Sequence, residues 1–215
     1  MADYTLHCFL QSGNAYKPAL MLQLAGADWK AQFVDFMNGA NRTPEFQALN
    51  EMGEVPVLID HTEKGADGED LVLTQSGVML YHLCERFTDF GPRDRLEDRE
   101  ILRWILWDNH KMTGTLAPYR FMTHFMKQEN AATENYGQRM RGALKTLNQR
   151  LSDRDWVATD RCTIADISLA GYLFWPEQSG LDMDRIPNVA AWLERIRALP
   201  NYAAPEDILP SSANA

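Results

Sequence analysis

Three short stretches of this sequence set polar side chains where the chain turns into a helix or enters a strand. The first, Ser12-Gly-Asn-Ala-Tyr-Lys17, follows the alternating run Tyr4-Thr-Leu-His-Cys-Phe9. A hydroxyl at that point can donate to an anion, and the positive end of the following helix adds to the stabilisation. Ser12 and Asn14 can equally serve as turn formers and helix caps, as these residue types commonly do. The second, Thr74-Gln-Ser-Gly77, joins the apolar Leu71-Val-Leu73 to Val78, Met79, Leu80 and Leu83. A helix amino end there offers free N–H groups suited to a carboxylate, with the Ser76 hydroxyl beside them; the plainer role for Thr74 or Ser76 is a cap. The third, Glu54-Val-Pro-Val57, reads as a strand opened by a proline, a place where proline is tolerated. Only about 5–6% of X–Pro bonds are cis, so sequence alone predicts a trans Val55–Pro56 bond.

These stretches need elements to hold them. The spacing predicts a strand over 4–9, a turn at 11–14 and a helix from Ala15 to Leu24, with Pro18 in its first turn and Gly26 as its stop. A strand over 32–36, a short helix over 44–49 and a strand over 55–59 follow. A polar hairpin turn over 61–70, a strand over 71–73 and a helix over 76–87 complete the first third. The order βαβ, helix, ββα describes a small α/β layer on a mixed sheet. Residues 88–96, with Gly91-Pro92 and several charges, read as a linker. Beyond them lie amphipathic stretches at about 98–126, 135–151, 164–174 and 188–198, with no strand between. The expected division is therefore 1–87, a linker over 88–96, and an all-α domain over 97–215, whose last residues from Ala203 trail over the surface.

In this order and spacing, the three stretches resemble the glutathione-binding face of the cytosolic glutathione S-transferase superfamily, in its theta-like or bacterial form. The resemblance runs from Tyr4 to about Tyr202. It implies an N-terminal thioredoxin-like βαβαββα domain followed by an all-helical domain, with glutathione as cosubstrate and no metal. Ser12, or its rival Asn14, then stabilises the glutathione thiolate. A free thiol titrates near ~8.5. Lowering that by ~2 units takes ~2.7 kcal/mol, about the size of one charge-assisted hydrogen bond. The resemblance implies a cis Val55–Pro56 bond, with the backbone of Val55 meeting the cysteinyl unit. Gln75 and Ser76 then hold the γ-glutamyl end, Gln75 accepting from its ammonium. Glu54 and Pro56 are counted with Ser12, Val55, Gln75 and Ser76 among the glutathione-binding residues. Many relatives carry Lys, Arg or Gln where Glu54 stands, so either Glu54 repels the glycyl carboxylate, with Lys17 or Arg42 as substitutes, or it points elsewhere. Thr163 and Asp166 in Cys162-Thr-Ile-Ala-Asp-Ile-Ser168 have capping-box spacing and support the fold rather than catalysis. Asn109, Met112, Thr113, Tyr119 and Arg120 are the expected lining of a pocket for a hydrophobic electrophile. The implied activity is conjugation of glutathione to that electrophile, by a homodimer. The alternatives are a glutathione-dependent peroxidase or disulfide-bond reductase, and a non-catalytic binding module.

Bulk properties narrow the partners. The chain of 215 residues carries a net charge of -9, which argues against nucleic acid or an anionic membrane surface. No basic segment followed by an apolar run opens the sequence, and no apolar stretch approaches ~18 residues. Cys8, Cys84 and Cys162 are scattered and odd in number, so neither a disulfide framework nor a zinc site follows, and a reducing cytoplasm fits best. Each of the three reads as a small buried apolar residue. None of the five histidines forms an i,i+4 pair with a carboxylate in zinc-ligand arrangement.

Overall fold

The strand β1 (Tyr4–Cys8) is the spine of the first unit, because both of its faces are covered. Its period of two sends Tyr4, Leu6 and Cys8 to one side and Thr5 and His7 to the other. We describe the protein from a computed structural model that covers residues 2–213. β1 pairs in parallel with β2 (Trp29–Phe33) and antiparallel with β3 (Val57–Lys64), which pairs antiparallel with β4 (Asp70–Thr74). The sheet order is β2-β1-β3-β4. Helices α1 (Gly13–Leu24) and α3 (Ser76–Arg86) pack against one another, and the Tyr4 hydroxyl accepts from Arg86 at 3.3 Å. On the opposite face, α2 (Pro44–Leu49) brings Phe46 against His7 and into a small core with Val34 and Val57.

This unit has the thioredoxin-like order expected, with several boundaries moved. β2 lies at 29–33 rather than 32–36, because Val34 already bonds back to Cys8 and the chain then coils into a 3-10 turn at Phe36–Asn38. β3 starts after Pro56 instead of at Val55 and runs on through Lys64. α1 begins two residues before the expected Ala15, so Pro18 falls in the second turn and deprives the Asn14 carbonyl of its helical partner. A buried polar cluster ties β3 to α3. Asp60 is fully buried and accepts from the Thr62 amide at 2.8 Å, from its hydroxyl at 2.6 Å, and pairs with His82 at 2.8 Å. Burial pushes the Asp60 carboxyl up, but the Thr62 and His82 contacts outweigh it and hold the group below its usual range.

The second unit is Thr88–Leu199, and the chain from Pro200 onward rejoins the first. The expected trailing end is thereby corrected. The Ala203 carbonyl accepts from the Tyr16 hydroxyl at 2.8 Å, a short helix α9 (Pro205–Ile208) follows, and the Pro210 carbonyl accepts from the Leu10 amide at 2.9 Å. Leu209 is buried there. The stretch looked exposed because it is rich in Pro, Ser and Ala; its few apolar groups become core only through contacts distant in sequence.

The second unit is all-helical. It comprises α4 (Arg95–Trp107), α5 (Thr113–Arg120), α6 (Ala131–Arg150), α7 (Ile164–Ala170) and α8 (Pro187–Arg197). The single long stretch expected over 98–126 is interrupted by two π-helical turns, Asp108–Met112 and Phe121–Phe125, each closed by an i→i+5 bond. Gly114, early in α5, packs against the first of them, since a Cβ there would come within 2.7 Å of the Asn109 carbonyl. The start of α7 carries the expected capping box: the Thr163 amide donates to Asp166 at 3.0 Å. Asp166 also accepts from the Val157 amide at 2.8 Å and the Trp192 indole at 3.0 Å. Among the described residues, no helix is long and apolar enough to cross a membrane.

Candidate functional site

The start of α1 forms because Ser12, in extended backbone, accepts from the Ala15 amide at 3.1 Å. The bond uses a lone pair of the Ser12 oxygen and leaves the hydroxyl hydrogen to donate. Two residues on, the Asn14 side-chain oxygen is buried and has no hydrogen-bond partner among the described residues. Rotation of that amide presents N–H₂ at the same place, so Asn14 can act as acceptor or donor. Cap and functional donor are therefore compatible roles for Ser12.

The start of α3 is built differently. Gln75 precedes the helix with φ 64, a left-handed conformation that costs a non-glycine residue about 1 kcal/mol or more. Its carbonyl accepts from the amides of Val78 and Met79, while the amides of Ser76 and Gly77 have no partner within the helix. Ser76 is largely buried, and its hydroxyl has no partner among the described residues. The Gln75 side chain donates to the Glu54 carboxylate at 2.8 Å. The Glu54 carboxylate thus turns to Gln75, the second of the two outcomes expected for it. The Asn50 side chain donates to the Glu54 carbonyl at 2.8 Å and so fixes the turn. The Val55–Pro56 bond is cis, and among the described residues nothing bonds the backbone N–H or C=O of Val55.

Of the two cations offered for a second carboxylate, Lys17 is wholly buried on α1, which removes it from any surface role; Arg42 is exposed at the end of a 3-10 turn. The three cysteines are buried and none is in a disulfide. Burial pushes the Cys8 thiol up to about 12 and Cys162 well above its ordinary value, so neither is a nucleophile at neutral pH. Asp60, Glu63 and His82 offer ligand atoms within 4.8 Å of one another, a juxtaposition that local spacing could not reveal. Both Asp60 oxygens are already engaged by Thr62 and His82, so the cluster is accounted for as a structural one.

The five residues expected to line an electrophile pocket do not share one environment. Asn109 is exposed, Met112 is fully buried core, and Thr113 is buried with its hydroxyl donating to Asp108 at 2.8 Å. Arg120 is buried, its guanidinium 4.6 Å from the Trp175 ring and donating to Gln178 at 2.9 Å. Tyr119 borders a cavity within the second unit. An i→i+5 bond adds one residue to the turn and rotates the downstream face by about 100° relative to the face read from Trp104. Trp104 and Trp107 pack edge to face at 5.2 Å, with Trp104 buried, so that stretch is core.

A two-layer mixed unit followed by a helical one, with an open helix start beside a cis-proline turn, defines a class, and sequence profiles agree. The glutathione S-transferase N-terminal domain profile matches residues 2–85 and the C-terminal domain profile matches residues 111–200. The chain belongs to the glutathione S-transferase family. It is similar to the disulfide-bond oxidoreductase YfcG of Escherichia coli, 29% identical over 198 residues and 89% of each chain. It is also similar to glutathione S-transferase 2 of Schizosaccharomyces pombe, 27% identical over 223 residues and 95% of each chain. Among solved structures, a glutathione transferase from Burkholderia graminis, crystallised with two glutathione molecules per subunit, superposes with a TM-score of 0.81 at 25% identity. That match covers 93% of this chain and 85% of the other.

Proposed function

We propose that the first unit binds glutathione across the starts of α1 and α3, and that the bound thiolate conjugates a hydrophobic electrophile. The observation that carries this reading is the set of unused groups at one turn: the Ser76 hydroxyl, the first amides of α3, and the Val55 backbone. The γ-glutamyl carboxylate docks on the Ser76 hydroxyl and the helix end. The γ-glutamyl ammonium meets the carbonyl oxygen of Gln75, whose N–H₂ is already turned toward Glu54. The nearby Glu54 carboxylate then favours that ammonium, a role opposite to repelling the glycyl end. Val55 pairs with the cysteinyl backbone, and Ser12, with Asn14 as assistant, donates to the sulfur anion. The thiol proton leaves to solvent. Sulfur then forms a bond to the electrophilic carbon as the leaving group departs with its electron pair.

Calorimetry with glutathione tests the docking, and turnover of 1-chloro-2,4-dinitrobenzene tests the conjugation. Ser12→Ala and Asn14→Ala, compared by the pH at which bound glutathione ionises, assign the sulfur donor; if neither moves that pH, the thiolate assignment is wrong.

The similarity to YfcG favours a second reading, reduction of disulfides or peroxides by glutathione. Since the protein's own cysteines are buried, both electrons then come from glutathione thiols. Turnover of hydroxyethyl disulfide without conjugation selects it. Tight glutathione binding with no turnover selects a binding module. Like its family, the protein is proposed to work as a homodimer in the cytoplasm, which sedimentation and fractionation check.

A further inference from the structure

The turn that leads into the cis bond carries a side chain to which the proposed chemistry gives no role. Met52 is 49% exposed, and its sulfur accepts from the Gln75 side-chain amide at 3.5 Å. The same amide nitrogen donates to Glu54 at 2.8 Å. Gln75 thus spends one hydrogen on a carboxylate and the other on a thioether, which is a weak acceptor. The backbone under Met52 is fixed. Its amide donates to the Asn50 side-chain oxygen at 3.1 Å, and the Gly53 amide donates to the Asn50 carbonyl at 2.8 Å. The buried Asn41 side chain donates to the Gly53 carbonyl at 2.6 Å.

A rigid turn therefore presents a polarisable sulfur to solvent on one side and to Gln75 on the other. Other methionines lack that combination. Met21, Met79, Met112 and Met140 are shielded in the core. Met37 and Met126 are as exposed as Met52, at 50% and 52%, but neither sulfur accepts a hydrogen bond among the described residues.

We propose that Met52 is an oxidation site through which a hydroperoxide raises the affinity of the first unit for glutathione. This rests on the reading of Gln75 as the acceptor for the γ-glutamyl ammonium. The Met52 sulfur lone pair attacks one peroxide oxygen, and the O–O bond breaks with its electron pair on the departing oxygen. A proton passes from the transferred oxygen to the departing one, which leaves as water from hydrogen peroxide. Sulfur is oxidised to a sulfoxide and the peroxide is reduced. The sulfoxide is polar, and its oxygen is a stronger acceptor than the thioether it replaces. Because the Met52 side chain is exposed, it can turn that oxygen onto the Gln75 amide without displacing core. With both of its N–H bonds held, the amide keeps its carbonyl oxygen free for the ligand ammonium. Ordering a side chain before the ligand arrives removes that cost from binding.

Calorimetry with glutathione on the full-length protein, before and after brief treatment with hydrogen peroxide and its removal, tests the proposal, with peptide mass mapping to follow each methionine. Met52 gains an oxygen atom ahead of the core methionines, and the Kd for glutathione falls roughly three- to tenfold. In M52L the treatment leaves Kd where it stood before treatment, whereas in the double variant M37L/M126L the gain persists. An unmodified Met52 beside oxidised Met37 and Met126, a Kd unchanged or raised once Met52 is oxidised, or a gain that survives in M52L would each overturn the inference while glutathione docking stands. Absence of glutathione binding before treatment would overturn both.

Discussion

The helices α3 and α7 begin with the same sequence signal, a hydroxyl residue just ahead of an apolar run, and the structure treats them in opposite ways. At α7 every group is consumed internally: Thr163 and Asp166 bond reciprocally, and Asp166 gathers Val157 and Trp192 as well. At α3 the hydroxyl of Ser76 is left over, and Gln75 is held in a left-handed conformation without a side-chain cap. A helix start that closes on itself is scaffolding. One that stays open at an energetic cost is a docking point.

The largest effect belongs to the closed start. Asp166→Ala strands the buried donors of Thr163, Val157 and Trp192 and should cost about 3–4 kcal/mol, read as a lowered denaturant midpoint. A loss under about 1 kcal/mol would erase the distinction. The open start predicts the reverse pattern for Ser76→Ala. Stability stays within about 1 kcal/mol of the parent, while glutathione affinity drops roughly tenfold or more. Equal losses in both quantities would show that Ser76 is only a cap.

Asp60 extends the comparison to pH. It is a closed network whose carboxyl is held below its usual range. Its contribution is present above an unfolded value of about 4 and is withdrawn as the pH falls through the lower folded value. Asp60→Asn should therefore flatten the acid limb of the stability curve. An unchanged limb would assign acid unfolding to other groups. The smallest effect is Gln75→Gly, which removes the left-handed penalty and should stabilise the fold by about 0.5–1 kcal/mol while weakening glutathione binding. A destabilised variant would mean that the Gln75–Glu54 contact, not the ligand, justifies the conformation.

The helix starts were legible in the sequence because capping chemistry acts across three or four residues, as the Thr163–Asp166 pair shows. The apolar order of the first third likewise gave the sheet and its three helices, since alternation and helical periodicity are local. What escaped depended on contacts far apart in the chain. His82 meets Asp60 across 22 positions, Lys17 is buried although its type suggests a surface, and β2 is placed by pairing with β1 rather than by its own pattern. The π turns shifted the helical phase after Trp107, a change of period that no local pattern announced. Gly114 was the available cue, but a lone glycine in a helical pattern has several explanations.

The return of the chain onto its first unit has a consequence for biosynthesis. Tyr16 and Leu10 emerge from the ribosome early, yet the carbonyls that satisfy them, from Ala203 and Pro210, are added only after the whole helical unit has been translated. The portion synthesised first is completed last. An early stop near residue 200, or a bulky fusion in its place, would leave a nascent sheet domain without its final strap, exposed to proteases and chaperones.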